Sequence, residues 1–307
     1  CDVVVGGRIA TVRVLRSEPI SSTDGRVLSY RNEAQVNADR FYKGSGAAST
    51  IVFLFDTFAS STIPQNRFVI GQPILLFLKK ADEPNRFILA DPFFGVFGPV
   101  PYISPTSDKL SGNSKLQKDL IAGLNDKNRQ RVLVNLELLL GFKHLDSTEG
   151  ISSLTKSENS QVAVLAYSVL LRNNTFDEIP SMLAFLRQTP ESSGISFVQL
   201  ANSLGTLEKY PKRTDVLSTL SQVPQVAIRN AAVNELRRLR DPDTIPVLLK
   251  ALDDPDPYIS FTALKTLAEI SGVADADYSP DVPSFLGDRA RYVAAWKARL
   301  GHLTLTH

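Results

Sequence analysis

Cysteine is almost missing from this chain: Cys1 is the sole one in 307 residues. No intrachain disulfide can form, so the fold must be held by its cores. Histidine occurs only at His144, His302 and His307. None has a second histidine at helical metal spacing, which leaves no pattern for a zinc or di-metal centre. Charge of one sign is also lacking, since 34 Lys and Arg face 32 Asp and Glu for a net charge of +2. So small an excess does not point to nucleic acid or to an anionic membrane surface. No apolar run approaches the ~20 residues of a membrane span. The densest stretches, Ile74–Leu78 and Val132–Phe142, read as a core strand and a core helix. A Gly-x-Ser-x-Gly elbow is absent, and Gly44-x-Gly46 has neither a third glycine nor a helix after it. Nucleophile-elbow and phosphate-loop chemistry thus have no carrier.

What is present is an apolar frame that occurs twice, 31 residues apart. Its first copy is Ile228, Arg229, Ala232, Val233, Leu236 and Leu239; its second is Ile259, Ser260, Ala263, Leu264, Leu267 and Ile270. Each spells an amphipathic helix with alanine at its centre, and Thr244–Leu252 fits as the second helix of the first unit. A period of this size marks stacked helical hairpins, whose continuous walls bind other molecules. Weaker echoes come earlier. Val162, Ala166 and Leu170 repeat the spacing of Ile228, Ala232 and Leu236 at an offset of 66, and Ile179-Pro180 matches Ile245-Pro246 at the same offset. Ser114–Leu124 with Asp126–Phe142, and Ser193–Leu207 with Asp215–Leu220, complete about four hairpins from 114 to 272. Asp281–Leu300, with Phe285, Tyr292, Val293 and Trp296, caps the last.

Residues 1–104 read differently. Val3–Leu15, Arg26–Tyr42, Thr50–Phe55, Phe68–Leu78 and Arg86–Phe97 are rich in Val, Ile and Phe and separated by turn-formers such as Asp24-Gly25, Pro64-Gln65-Asn66 and Pro84-Asn85. Gly6-Gly7 inside the first run predicts a bend or bulge. Five strands, the first long and bent, fit a small closed barrel of OB type. The expected organisation is therefore an OB-like β-barrel over 1–104, a Pro/Gly/Ser-rich linker over 105–113, and a HEAT-like α-helical region over 114–307.

The segments "VAIRNAAVNELRRLRDPDTIPVLLKALDD" (226–254) and "PDPYISFTALKTLAEISG" (255–272) resemble HEAT-like repeats, in the turn Asp241-Pro242-Asp243 and in Ile245-Pro246. The segments Asp2–Ile9, Arg40–Gly44 and Gly71–Leu78 resemble the netrin-module and metalloproteinase-inhibitor (TIMP-like) OB-fold superfamily. The first resemblance implies a scaffold that binds protein partners without catalysis or cofactor. The second implies an extracytoplasmic location, here bacterial and periplasmic or secreted. Two alternatives follow from the same resemblances. HEAT-like repeats also occur in bilin lyases, which would make this an enzyme. Inhibitors of the barrel superfamily use an N-terminal cysteine held by a disulfide, and Cys1 has no second cysteine to pair with.

The candidate partner-binding residues are Arg229, Arg237, Arg238, Arg240 and Lys250. On a helical wheel Arg229 and Arg240 lie about 20° apart and Arg237 within about 80° of both, a patch suited to an acidic partner. The competing reading is a solvated face paired with Glu235 and nearby Asp residues. Cys1 is a candidate lipidation site, and the chain has no membrane span that would replace such an anchor. Asp241, Asp243, Asp253 and Asp254 are expected as helix caps.

Overall fold

The computed structural model describes residues 1–18, 29–44, 49–58, 68–71, 73–83, 85–90, 96–97, 112–190 and 195–300. They form two units, Cys1–Gly150 and Ile151–His307.

In the first unit the strands are β1 (Val3–Glu18), β2 (Ser29–Lys43), β3 (Thr50–Phe58), β4 (Pro73–Lys80), β5 (Arg86–Leu89) and the short β6 (Val96–Phe97). The order β1-β2-β3-β5-β4 closes on itself because β1 also pairs with β4. One long strand can serve two neighbours only if it bends, and its register shifts between Gly6 and Gly7. A Cβ on Gly7 would lie 2.3 Å from the Asn37 carbonyl oxygen, so only glycine permits the approach of β2 at the bend. The alternating residues Val3, Val5, Ile9, Val36, Ile51, Phe53, Ile74, Leu76 and Leu78 fill the interior. Phe68 packs edge-on against Phe53 and Phe55, at 5.3 and 4.6 Å between ring centroids. The five-stranded barrel expected from the sequence is thus present.

Some edges differ. The strand expected from Phe68 begins at Pro73, because Ile70-Gly71 turns, with Gly71 at φ +83°. The run Arg86–Phe97 is divided into β5 and β6. The expected turns at 24–25 and 64–66, Phe93, Phe94 and most of the linker 105–113 lie outside the described residues.

Two helices, α1 (Gly112–Ala122) and α2 (Arg129–Leu140), belong to the same unit as the barrel. Asp119 on α1, fully buried, supplies the physical reason. Its Oδ2 lies 2.6 Å from Arg40 Nε on β2, and it accepts a hydrogen bond from the Tyr42 hydroxyl at 3.1 Å. Lys115 adds a bond to the Phe41 carbonyl at 3.3 Å. Burial, and next the Asp119 charge, push the Tyr42 hydroxyl well above the usual phenol range, so it stays a donor. The sequence groups these helices with the repeats; the compact units divide instead between Gly150 and Ile151.

The second unit holds α3 (Ile151–Leu154), α4 (Ser160–Arg172), α5 (Ile179–Gln188), α6 (Ile195–Ser203), α7 (Arg213–Leu220), α8 (Val226–Leu239), α9 (Ile245–Ala251), α10 (Pro257–Ser271), α11 (Val282–Gly287) and α12 (Arg289–Leu300). A 3-10 turn, Leu204–Lys209, follows α6. Both copies of the frame face inward: Ile228, Ala232, Val233 and Leu236 on α8, and Ile259, Ala263, Leu264 and Leu267 on α10, are all buried. They share one core with Leu204, Leu217, Leu248 and Trp296. The expected cap is present, with Trp296 fully buried and its indole N–H donating to the Tyr278 carbonyl at 2.8 Å.

Candidate functional site

The repeats set their helices with short acidic caps. The Asp256 carboxylate accepts from the backbone N–H groups of Tyr258 and Ile259 at the start of α10, at 2.8 and 3.3 Å. Asp241 does the same for Asp243, at 3.0 Å. Asp253 and Asp254 mainly do other work: Asp253 pairs with Lys297 at 2.7 Å, and Asp254 holds Arg229.

Arg229 does not belong to a surface patch. It is buried, at 8% exposure, and grips Asp254 with two parallel bonds, Nε to Oδ2 at 2.7 Å and Nη2 to Oδ1 at 3.1 Å. Its Nη1 donates to the Val223 carbonyl at 3.0 Å. The guanidinium thereby ties the turn before α8 to the turn before α10, a structural role that leaves it no donor surface for a partner. The wheel fails here because it assigns a face by angle alone and ignores what the neighbouring turn offers.

The remaining arginines do converge. Arg237, Arg238 and Arg240, with Asn234 and Glu269, line a hollow of about 490 Å³ beside the carboxyl end of α8. Arg237 forks onto Glu269 of α10, with Nε to Oε2 at 3.1 Å. That bond holds the Glu269 carboxyl below the usual carboxylate range and raises the Arg237 guanidinium. Arg238 Nη1 lies 2.8 Å from Glu235 Oε1, one turn back on its own helix. Arg240 is exposed and has no hydrogen-bond or ion-pair partner among the described residues. Lys250, exposed on α9, does not line the hollow. Arg238 also lines a second hollow of about 270 Å³, with Leu204, Gly205, Glu208, Arg213 and Glu235. The two hollows share Arg238 and together make a furrow in which Arg237, Arg238 and Arg240 meet Glu235 and Glu269, with Arg213 and Glu208 also on the lining. Of these two glutamates the sequence pattern points to Glu235; Glu269 comes from the next repeat and is found only in the fold.

In the first unit, Cys1 is exposed, and its carbonyl accepts from Lys43. With Tyr42, Phe77, Leu116, Glu137 and His144 it lines a hollow of about 690 Å³. Glu137 is exposed on α2, and partial desolvation of its carboxyl pushes it above the usual range. His302 and His307 lie outside the described residues. Among the described residues, no three His, Cys, Asp or Glu side chains gather as a metal site would require, and no helix is long and apolar enough to cross a membrane.

Residues 202–299 match the family model for HEAT repeats. No curated protein and no solved structure matches the chain. The matched segment begins within α6 and ends within α12, so it contains the whole furrow.

Proposed function

We propose that this chain is a non-enzymatic interaction protein that holds a protein partner along its helical repeats, with the furrow at the carboxyl end of α8 as the contact. One observation carries the reading: the HEAT-repeat match and the convergence of Arg237, Arg238 and Arg240 fall on the same stretch of chain. Stacked hairpins give a stiff wall suited to extended partners, and the furrow adds directional charge to it. The extracytoplasmic, bacterial setting implied by the barrel's resemblance is part of the same proposal, as is a lipid anchor on Cys1.

The test is capture followed by reconstitution. A partner recovered from the native lysate by the full chain is purified and titrated against wild type and against the triple variant R237S/R238S/R240S. Affinity should fall for the variant, and its salt dependence should flatten, because such half-exposed contacts are screened over ~8 Å in physiological buffer. The apolar frame is untouched, so the helical spectrum should not change. A purified partner that binds both proteins equally would overturn the assignment of the furrow.

A further inference from the structure

Three non-glycine residues adopt positive φ among the described residues: Asn85, Asn174 and Arg240. Asparagine tolerates the left-handed region through its short polar side chain; arginine has no such excuse. Arg240 holds it at φ +51° because it closes α8, where the chain must reverse its twist to leave the helix. The next copy of the frame ends in the same way, and there the closing residue is Gly272, at φ +64°. Glycine is the favoured solution at such a position. The first copy departs from it and installs a long cation, which is exposed, without an ion pair or hydrogen bond among the described residues, and on the lining of the hollow with Arg237 and Arg238. Backbone strain kept against an available remedy points to function at that side chain.

We infer that Arg240 is an anion-binding residue, and that the furrow takes carboxylate side chains of an acidic, extended protein segment. The inference rests on the proposed partner-binding reading and names the chemistry of that partner. Arg237 and Arg238 are ion-paired to Glu269 and Glu235, so they orient and share charge, while Arg240 acts on Glu269 only through its field and forms no ion pair of its own among the described residues. The same glutamates, with Glu208 in the adjoining hollow, repel a continuous polyphosphate but leave room for separate carboxylates. A nucleic acid is therefore the excluded ligand.

The experiment uses the full chain and three labelled probes: a short peptide of alternating Glu and Gly, its Lys counterpart, and single-stranded oligo-dT of matched length. Anisotropy is read at ~20 and ~200 mM NaCl. The Glu peptide should bind and weaken with salt, and the Lys peptide should not bind. R240G should lower affinity for the Glu peptide about tenfold and at the same time raise the melting midpoint of the helical unit by about 2–4 °C. R240K keeps both the strained backbone and the charge, so it should retain affinity within about twofold. Unchanged affinity in R240G, a lowered melting midpoint in R240G, or oligo-dT binding more tightly than the Glu peptide would each overturn the inference. A purified native partner that still binds R240G with wild-type affinity would overturn it too, while leaving the broader partner-binding reading in place.

Discussion

Among the described residues each unit carries a buried Arg–Asp tie, and the two differ chiefly in how far along the chain their partners lie. Arg229 and Asp254 are 25 residues apart; Arg40 and Asp119 are 79 apart. Closing the longer loop costs about 1 kcal/mol more in chain entropy, and the contact cannot be inferred from local pattern. The helical tie joins turns of consecutive hairpins within the frame. The barrel tie joins a strand to a helix across intervening strands. Short-range contact keeps the helical tie within the legible frame, while the contact of α1 with β2 appears only once the chain has folded.

The largest effects should come from breaking these ties. Removing one partner strands a buried charge, so Asp119→Ala and Arg229→Ala should each cost about 3–5 kcal/mol. In a calorimetric scan the first should lower the transition of the barrel unit and the second that of the helical unit. Replacing both members of the barrel pair, as Arg40→Met with Asp119→Leu, should recover much of the loss. If Asp119→Ala instead lowers the helical transition, the assignment of α1 and α2 to the barrel unit is wrong.

The small alanine at the centre of each frame helix marked the helix positions correctly, because period and burial are local properties. The bend at Gly6-Gly7 was equally readable, since few residues other than glycine fit such an approach. The membership of α1 was not, because Asp119 looks like any exposed helical aspartate until Arg40 and Tyr42 are brought to it. Within the site, the convergence of Arg237, Arg238 and Arg240 was legible from their closeness in sequence. The burial of Arg229 was not, because its acceptors sit on two turns, one of them 25 residues away. Arg240 was assigned by an angle that ceases to apply once the helix ends at Leu239.

Smaller changes sharpen the comparison inside the helical unit. Ala232 and Ala263 are fully buried where the repeat helices pack against their neighbours. Replacing either with Leu should cost ~1–3 kcal/mol through overpacking. Unaltered melting at both sites would show that the frame does not mark the closest approach. Gly272→Ala should cost about 1 kcal/mol, because a Cβ is disfavoured at its positive φ. Open space surrounds the position, so the loss would report backbone conformation alone.

The subtlest test sets one glutamate from each unit against the other, because their carboxyls are perturbed in opposite senses. Glu269 starts from an ordinary value of 4.5 and is lowered, first by its hydrogen bond from Arg237. A lowered folded value means that the ionised form is preferred on folding. Its contribution is therefore complete above the ordinary value and fades as pH falls through the lowered one. Glu137 starts from the same 4.5 and is raised by partial desolvation of its carboxyl. Here the neutral form is preferred, so the penalty is absent below the ordinary value and grows as pH rises through the raised one. Both side chains are partly exposed, and solvent keeps the effects small. E137Q should raise the melting midpoint of the barrel unit at pH ~7 and match wild type at pH ~4. E269Q should lower the midpoint of the helical unit at pH ~7, with the difference shrinking toward pH ~3. Parallel pH dependence in the two variants would show that surrounding charge, rather than these two local environments, sets how each unit responds to acid.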